Sequence, residues 1–290
     1  MELIQTTEWM KQLMREARAE GRIIGFVPTM GALHEGHLSL VRAAQKQCKP
    51  VAVSVFVNPK QFGPKEDLNK YPRQLEADKG LLESLGVEYL FAPSAAEMYP
   101  PGFGTYVNVE GISEVLEGRS RPGHFRGVTT VVLKLLEIVG PRFAYFGRKD
   151  AQQARVVERM VADLNLEAEI VICPIVREAD GLAISSRNAY LKPEERRAAT
   201  VLNRALRAAQ IEIERGERDA ARLTSTLRRV LDADPLASTD YAAVVDAGCF
   251  EPVVRLKRSC YLLLAVFIGT TRLIDNLFVE ESEEGFHISL

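Results

Sequence analysis

Two histidines, His34 and His37, lie three positions apart in a glycine-containing loop formed by residues 28–37. The loop follows a predicted strand and precedes a helix that is predicted to begin near Gly36, so both imidazole rings can project from the same side of the first helical turn. A helix N-terminus favours anions, and imidazole donors suit negative charge that develops on a phosphate. The loop therefore predicts phosphate binding, although surface histidines, metal ligands or a glycine that only relieves helix packing fit the spacing as well.

A second polar segment, residues 58–63, directly follows the predicted strand at residues 51–57. Pro59 lacks an N–H group and is expected to end that strand. Asn58 and Gln61 would then place side-chain amides at the same sheet edge as the histidine loop, and an amide can both donate and accept hydrogen bonds. An ordinary loop at the end of a strand is the alternative explanation.

Two basic loops, residues 119–127 and 146–153, each contain glycine and each open into a predicted helix. The second follows a strand, so Lys149 is expected at the carboxyl edge of the sheet. The alternative is a solvated basic loop in which Asp150 caps the helix.

Residues 176–188 contain a turn signal, Asp180-Gly181, followed by two hydroxyls and a guanidinium in Ser185, Ser186 and Arg187. This combination suits a polyphosphate, but it also suits a loop that caps a helix. Asp78 is a further candidate, because Mg²⁺ held mostly by phosphates takes one or two carboxylates. An exposed helical acid is the commoner explanation for such a residue.

The elements that must position these residues alternate along the first part of the chain. Strands are predicted at residues 22–28, 51–57, 87–92, 143–146 and 168–176, and helices at 38–48, 74–85, 128–139 and 150–165, after a first helix capped by Thr7 and stopped by Gly21. This alternation predicts an α/β fold with a doubly wound (Rossmann-like), mostly parallel sheet.

The pattern changes near residue 176. Helices are predicted at residues 193–215 and 219–231 and strands at 241–245, 261–268 and 272–279, which indicates a smaller C-terminal α+β domain. We therefore expect a first domain over residues 1–176 and a second over residues 177–290.

Composition restricts the class of protein. The chain has 290 residues, of which 47% are hydrophobic and 26% are charged, and these fractions are ordinary for a globular protein. Its formal charge of −2 disfavours nucleic acid as a partner, because proteins that bind nucleic acid usually have a basic surface. The longest apolar stretch, residues 260–269, is half of the ~20 residues that a membrane span needs, and the start resembles no signal peptide. Four scattered cysteines are expected to be buried thiols, and a cytoplasmic location is expected.

Taken together, the segments at residues 28–37, 58–63, 121–127, 147–153 and 185–188 closely resemble the pantothenate synthetase (pantoate–β-alanine ligase) family. The resemblance covers nearly the whole chain and is densest over residues 25–191. The His-x-Gly-His portion alone marks only a broad nucleotidyltransferase superfamily, whereas the combination is far more specific.

The resemblance implies a role for each matching residue. His37 is the implied proton donor. Apart from the resemblance, the chemistry of a departing pyrophosphate leads us to expect that His34, Lys149 and Arg187 neutralise its charge. Gln61 and Gln153 match pantoate-binding glutamines, with Gln61 also facing β-alanine, and Asp78 matches a position near the metal. The ATP-binding positions are Met30, Gly31, Ala32, Leu33, His34, Glu35, Gly36, His37, Gly147, Arg148, Lys149, Asp150, Val176, Ile184, Ser185, Ser186 and Arg187. Lys60 and Arg148 depart from the family pattern, in which uncharged or acidic residues often stand.

The activity implied by the resemblance is the ATP-dependent condensation of pantoate with β-alanine through a pantoyl adenylate, with Mg²⁺, in a cytoplasmic homodimer. An acyl adenylate is sensitive to water, so the site is expected to close, and the C-terminal domain is the expected lid. Three alternatives remain: a nucleotidyltransferase that acts on a phosphorylated acceptor, an RNA-binding module related to the synthetases, and an inactive nucleotide-binding protein.

Overall fold

The structure is a computed structural model that describes residues 1–64, 66–282 and 285–290. Within these residues the helices and strands follow one another in this order: β1 (Glu2–Ile4), α1 (Thr7–Ala19), β2 (Gly25–Thr29), α2 (Glu35–Gln45), β3 (Val51–Val55), α3 (Leu75–Ser84), β4 (Tyr89–Phe91), α4 (Ala95–Met98), α5 (Glu117–Ser120), α6 (His124–Val139), β5 (Phe143–Gly147), α7 (Ala151–Asp163), β6 (Glu169–Cys173), α8 (Pro193–Ala198), α9 (Val201–Glu214), α10 (Ala220–Leu231), β7 (Ala237–Asp246), β8 (Cys260–Ile268), β9 (Thr271–Ser282) and β10 (Gly285–Ser289). Three short 3₁₀ turns, Pro59–Gln61, Arg148–Asp150 and Ser186–Tyr190, lie between them.

A parallel sheet forms the centre of the first part of the chain. Among the described residues its six strands lie in the order β1-β4-β3-β2-β5-β6. Strands β2 and β3 are almost wholly buried, as expected for a parallel sheet covered by helices on both faces. The predicted doubly wound, Rossmann-like α/β fold is confirmed. The direction of the strand order changes between β2 and β5, and in such sheets ligands bind near the carboxyl ends of the strands at that point.

The second part of the chain has a core of its own. In the described residues, β10, β9, β8 and β7 form an antiparallel sheet in that order. Aliphatic side chains of α9, α10 and the sheet form one buried cluster, which includes Leu206, Leu227 and Leu264. The predicted smaller α+β region is confirmed.

The chain divides into two compact units. The first comprises residues 1–148 and 152–174, and the second comprises residues 149–151 and 175–290. The division near residue 175 lies two residues before the boundary expected from sequence. The functions that we expect for the two domains stay predictions.

Several element boundaries differ from the sequence predictions. The strand predicted at residues 168–176 ends at Cys173, because Pro174 cannot donate to the next rung of the ladder. The strand predicted at residues 51–57 ends at Val55. Thr6 rather than Thr7 caps α1, since its hydroxyl accepts from the Trp9 N–H at 3.4 Å.

Other elements were predicted as longer or not at all. The helix predicted at residues 193–215 is two helices, α8 and α9, with a break at residues 199–200. The short elements β1, β10, α4 and α5 were not predicted, because three to five residues carry too little periodicity.

The structure bears on the cysteines and on membrane-spanning helices. All four cysteines lie in the described part of the chain as free thiols, but Cys249 is exposed, so the expectation of burial is wrong for that residue. In the portion of the chain that the structure describes, no helix has the length and apolar character needed to cross a bilayer.

Candidate active site

Two of the candidate segments follow neighbouring strands. The histidine loop begins directly after β2, and the segment that contains Gly147 and Gln153 begins at the end of β5. Because β2 and β5 pair in parallel, their carboxyl ends meet at the same edge of the sheet. The fold therefore brings these two sequence motifs to the point where the strand order changes direction.

The loop between β2 and α2 has a tightly fixed backbone. Gly31 and Ala32 both have positive φ angles, +81° and +51°. The Gly31 N–H donates to Thr29 Oγ1 at 3.1 Å, and the Thr29 hydroxyl itself donates to the Ser54 carbonyl at 2.7 Å. Met30 to Leu33 thus form a turn that is fastened to β3 before α2 begins.

His34 and His37 lie together at the N-terminus of α2. His34 is the N-cap residue, and the two rings stack with their centroids 4.0 Å apart. The His34 N–H points to His37 Nδ1 at 3.4 Å, which makes Nδ1 the acceptor of this long hydrogen bond. A Cβ at Gly36 would approach the His34 ring to 3.0 Å, so glycine suits this close stacking.

Glu35 belongs to the same loop but differs in environment. It is exposed and forms an ion pair with Arg42 further along α2. Its carboxylate adds negative charge to the first turn of the helix.

Gln61 is held by a chain of hydrogen bonds inside the first unit. The Tyr99 hydroxyl donates to Asn58 Oδ1 at 2.7 Å, and Asn58 Nδ2 donates to Gln61 Oε1 at 3.0 Å. Burial raises the pKa of Tyr99, which keeps its hydroxyl protonated as a donor. The orientation of the Gln61 amide follows from this chain: its oxygen is occupied, and its Nε2 lies 3.3 Å from Met30 Sδ.

His124 supports the backbone of the same segment. Its Nδ1 lies 2.9 Å from the Gln61 carbonyl oxygen, and its Nε2 lies 3.1 Å from Arg121 Nη1. Burial, together with the charge of Arg121, lowers the pKa of His124 to about 4. The neutral ring therefore donates from Nδ1 to the carbonyl and accepts from Arg121 at Nε2.

Arg121 is itself paired with Glu66 through two hydrogen bonds, at 2.9 and 2.7 Å. Burial acts to raise the pKa of Glu66, but the hydrogen bonds and charge of Arg121 outweigh it and the net pKa is lowered. The basic segment at residues 119–127 thus has a structural role that the sequence did not reveal, and Glu66 escaped the sequence analysis because its partner lies 55 positions away.

The two adjacent glutamines of α7 have different roles. Gln152 is buried and donates to the carbonyls of Ile112 and Val115, both at 2.8 Å, so it fixes a neighbouring loop. Gln153, the residue predicted to bind pantoate, is half-buried in the first turn of the helix. The sequence alone could not distinguish their environments.

Gly147 is the last residue of β5, and Arg148, Lys149 and Asp150 form the 3₁₀ turn that follows it. Lys149 Nζ lies 3.7 Å from Asp150 Oδ2. The Lys149 carbonyl accepts from Asn276 Nδ2 of β9 at 3.1 Å. Asn276 therefore fixes the main chain of a candidate charge-neutralising residue, and no sequence motif marks it.

The second unit contains the remaining candidates. Residues 176–184 fold back on themselves, with Ile184 N–H donating to the Val176 carbonyl at 3.0 Å. Ser185 caps the following 3₁₀ turn by accepting from the Arg187 N–H at 3.3 Å. Ser186 and Arg187 are half-buried in that turn. Ser185 thus caps this 3₁₀ turn, whereas Lys192 is the N-cap residue of the helix that begins at Pro193.

Asp78 lies in the first turn of α3 and is fully buried. Its two carboxylate oxygens accept the N–H groups of Ala32 and Leu33, at 3.0 and 2.8 Å. Among the residues that the structure describes, no group of three or more histidine, cysteine or acidic side chains could hold a metal ion. Asp78 is not the exposed helical acid that composition favoured.

The fold and the site define the class of the protein: a Rossmann-like α/β protein with paired imidazoles at the carboxyl edge of its parallel sheet. A family model described as Pantoate-beta-alanine ligase matches residues 2–278. The chain belongs to the pantoate-beta-alanine ligase family.

Individual relatives agree with this assignment. The pantothenate synthetase of Heliobacterium modesticaldum is 58% identical over 280 residues, covering 97% of this chain and 100% of that protein. The pantothenate synthetase of Roseiflexus castenholzii is 58% identical over 257 residues, covering 89% of this chain and 92% of that protein.

Solved structures are similar over the same length. The crystal structure of pantothenate synthetase from Thermus thermophilus has a TM-score of 0.91 and 46% identity, covering 95% of this chain and 98% of that one. The pantoate-beta-alanine ligase from Francisella tularensis, crystallised with Beta-gamma ATP and beta-alanine, has a TM-score of 0.77 and 36% identity, covering 95% and 97%.

Proposed function

We propose that this protein joins pantoate to β-alanine in two steps. In the first, a pantoate carboxylate oxygen attacks the α-phosphorus of ATP, the bond between the α-phosphorus and the bridging oxygen breaks, and pyrophosphate leaves. In the second, the β-alanine amine attacks the carbonyl carbon of the acyl adenylate, AMP leaves, and the nitrogen loses a proton. Family membership over nearly the whole chain carries this proposal.

The chemistry at the α-phosphorus depends on positioning and on charge stabilisation more than on covalent catalysis. The paired imidazoles at the N-terminus of α2 suit this requirement, since they combine ring donors with the positive end of a helix dipole. We assign ATP to the loop of Met30 to His37, with His37 as the proton donor and His34 as its partner.

The amides of the first unit suit the acid substrate. Gln61 has its oxygen occupied by Asn58, and its Nε2 faces the thioether sulfur of Met30, which is a weak acceptor. A carboxylate or hydroxyl of pantoate is a stronger acceptor and would replace that contact. We assign pantoate to Gln61 and Gln153, and β-alanine to Gln61.

The remaining ATP-binding assignments stay predictions that rest on the resemblance. They concern Gly147, Arg148, Lys149 and Asp150, followed by Val176, Ile184, Ser185, Ser186 and Arg187. In this proposal Lys149 and Arg187 neutralise charge on the departing pyrophosphate. The C-terminal unit acting as a lid is likewise a prediction, motivated by the sensitivity of an acyl adenylate to water.

Three further parts of the proposal come from the family resemblance. Mg²⁺ would arrive with ATP and be held mainly by phosphate oxygens, since Asp78 already accepts two backbone hydrogen bonds. The protein would act in the cytoplasm and as a homodimer. Light scattering on the purified protein tests the dimer.

Pyrophosphate exchange tests the first step separately from the second. Labelled pyrophosphate should enter ATP only when pantoate is present, with β-alanine withheld. The His37→Ala variant should exchange at least ~100-fold more slowly, which is the usual scale for losing one preorganised donor. His287→Ala, an exposed histidine on β10, is the control and should exchange normally.

The outcomes separate the assignments. Near-normal exchange by His37→Ala would remove His37 as proton donor while leaving the activity intact. Absence of pantoate-dependent exchange in the unmodified protein would overturn the proposed activity. Product analysis addresses the nucleotidyltransferase alternative, because the proposed ligase releases AMP, whereas that enzyme retains the nucleotide in its product.

A further inference from the structure

Asp78 connects two segments that are distant in sequence. It lies in the first turn of α3, 46 and 45 positions from the two residues whose N–H groups it accepts. The side chain is fully buried, and each carboxylate oxygen accepts one backbone hydrogen bond from the loop between β2 and α2. Hydrogen bonds to a carboxylate are stronger than those between neutral groups, so this contact is a firm attachment.

The loop needs such an attachment because its backbone conformation is unfavourable. Ala32 has a φ of +51°, in the left-handed region that non-glycine residues rarely adopt. Conformations of this kind persist only where surrounding structure fixes them. The two N–H groups held by Asp78 belong to Ala32 itself and to the following residue.

The carboxylate also packs closely against the loop. A Cβ placed on Gly31 would come within 2.9 Å of Asp78 Oδ2 and of Val55 Cγ1. The next residue after Leu33 is His34, the N-cap of α2. The two hydrogen bonds to Asp78 therefore lie immediately before the N-terminus of α2 and its two imidazoles.

We propose that Asp78 is a positioning residue that holds the histidine loop in place, and that it is not a ligand of Mg²⁺. Asp78 borders a cavity that Met30 and Gly31 also line. Its side chain has no exposed surface, however, and each of its oxygens already accepts a backbone N–H group, so the carboxylate is engaged by the loop rather than presented to a nucleotide. The effect on nucleotide binding rests on the proposed function, but the effect on the loop does not.

Hydrogen exchange of the ligand-free protein tests the attachment directly. In the unmodified protein, the amides of Ala32 and Leu33 should be protected without nucleotide or metal. Asp78→Asn keeps the size of the side chain but replaces one acceptor by a donor that opposes an N–H group. We expect exchange at Ala32 and Leu33 to accelerate by about tenfold or more, the scale of one lost charge-assisted hydrogen bond.

A control and a second variant accompany this measurement. Glu76→Gln removes an exposed acid from the same turn of α3 and should leave the exchange of both amides unchanged. Gly31→Ala pushes the loop away from an intact carboxylate and should reproduce the faster exchange. This second variant decides the question if Asp78→Asn does not fold.

Metal dependence provides the other readout. Binding of a non-hydrolysable ATP analogue to Asp78→Asn should weaken about tenfold or more both with Mg²⁺ and with a chelator present, while the Mg²⁺ concentration for half-saturation stays within about twofold. Unprotected amides in the unmodified protein would overturn the proposal. The proposal would also be overturned if Asp78→Asn left hydrogen exchange at the Ala32 and Leu33 amides unchanged and greatly raised the Mg²⁺ concentration for half-saturation. Failure of pantoate-dependent exchange alone would contradict the proposed function and leave this inference standing.

Discussion

Individual polar residues in the first unit differ in how fully the rest of the protein occupies their hydrogen-bonding atoms. Gln61 has one amide atom occupied by Asn58 and the other opposite a weak acceptor, which suits a residue that binds substrate. Gln152 has both amide atoms occupied by backbone groups, which suits a structural residue. Residue type alone does not distinguish these two glutamines.

His124 gives a prediction about stability and pH. Its pKa is lowered to about 4 in the folded protein, from an ordinary value near 6.5, because burial and Arg121 disfavour the charged ring. The unfolded chain therefore binds more protons between these two values, and stability should fall as pH decreases from about 6.5 towards 4. The full loss amounts to about 3 kcal/mol from this residue.

Urea denaturation between pH 7 and pH 4 measures this effect. His124→Gln should be less stable at pH 7, because the hydrogen bonds to Gln61 and Arg121 are disturbed, and should show a shallower decline over that range. His287→Gln is the exposed control and should retain the slope of the unmodified protein. An identical slope in His124→Gln would show that another group causes the decline.

At the scale of elements, α6 approaches the 3₁₀ turn that carries Gln61 so closely that no side chain fits between them. A Cβ at Gly127 would lie 2.2 Å from the Lys60 carbonyl oxygen and 2.6 Å from Gln61 Cα. Asn58 Nδ2 also donates to the Gly127 carbonyl at 3.1 Å. The glycine of the basic segment therefore permits contact between two backbones.

Gly127→Ala should consequently destabilise the protein and displace Gln61. We expect a loss of about 2 kcal/mol or more, since overpacking against backbone cannot be relieved by a side-chain rotation. Gly80→Ala on α3 is the matched control, because a Cβ there meets nothing within 4 Å. That control should be neutral or stabilising by up to about 1 kcal/mol, and equal effects of the two changes in denaturation would contradict the argument.

The sequence located most elements but not their ends. Long periodic segments such as α6 and α9 follow from their apolar spacing. The start of α6 at His124, four residues before the predicted start, depends on hydrogen bonds made by His124 and Gly127 to the segment near Gln61. The apolar periodicity of a segment does not predict hydrogen bonds to partners that are distant in sequence.

At the scale of the whole molecule, each unit has a separate buried core, and long-range ion pairs occur within them. In the second unit, Arg177 forms two hydrogen bonds to Asp275 of β9, at 2.7 and 2.9 Å. Asp275 is almost fully buried, with 1% of its side chain exposed. The pair fastens the turn segment after residue 176 to the antiparallel sheet, 98 positions away.

Arg177→Met should therefore cost about 3–5 kcal/mol, because it leaves a buried carboxylate without its partner. Adding Asp275→Leu should restore much of that loss, since an apolar pair removes the unpaired charge. Arg159→Met, which breaks the exposed pair with Asp163, should change stability by about 1 kcal/mol or less. Similar denaturation midpoints for the two arginine variants would show that burial does not govern the cost.

The sequence by itself determined the class of fold, the presence of two regions and the segments that carry chemistry, because apolar periodicity and short motifs such as His34-x-Gly36-His37 are local properties of the chain. Only the tertiary structure decided which polar residues hydrogen-bond to the main chain of the candidate segments. Asp78 accepts from the histidine loop, His124 donates to the Gln61 carbonyl, and Asn276 donates to the Lys149 carbonyl. These roles depend on burial and on hydrogen-bond partners far away in sequence, and folding alone brings such partners together.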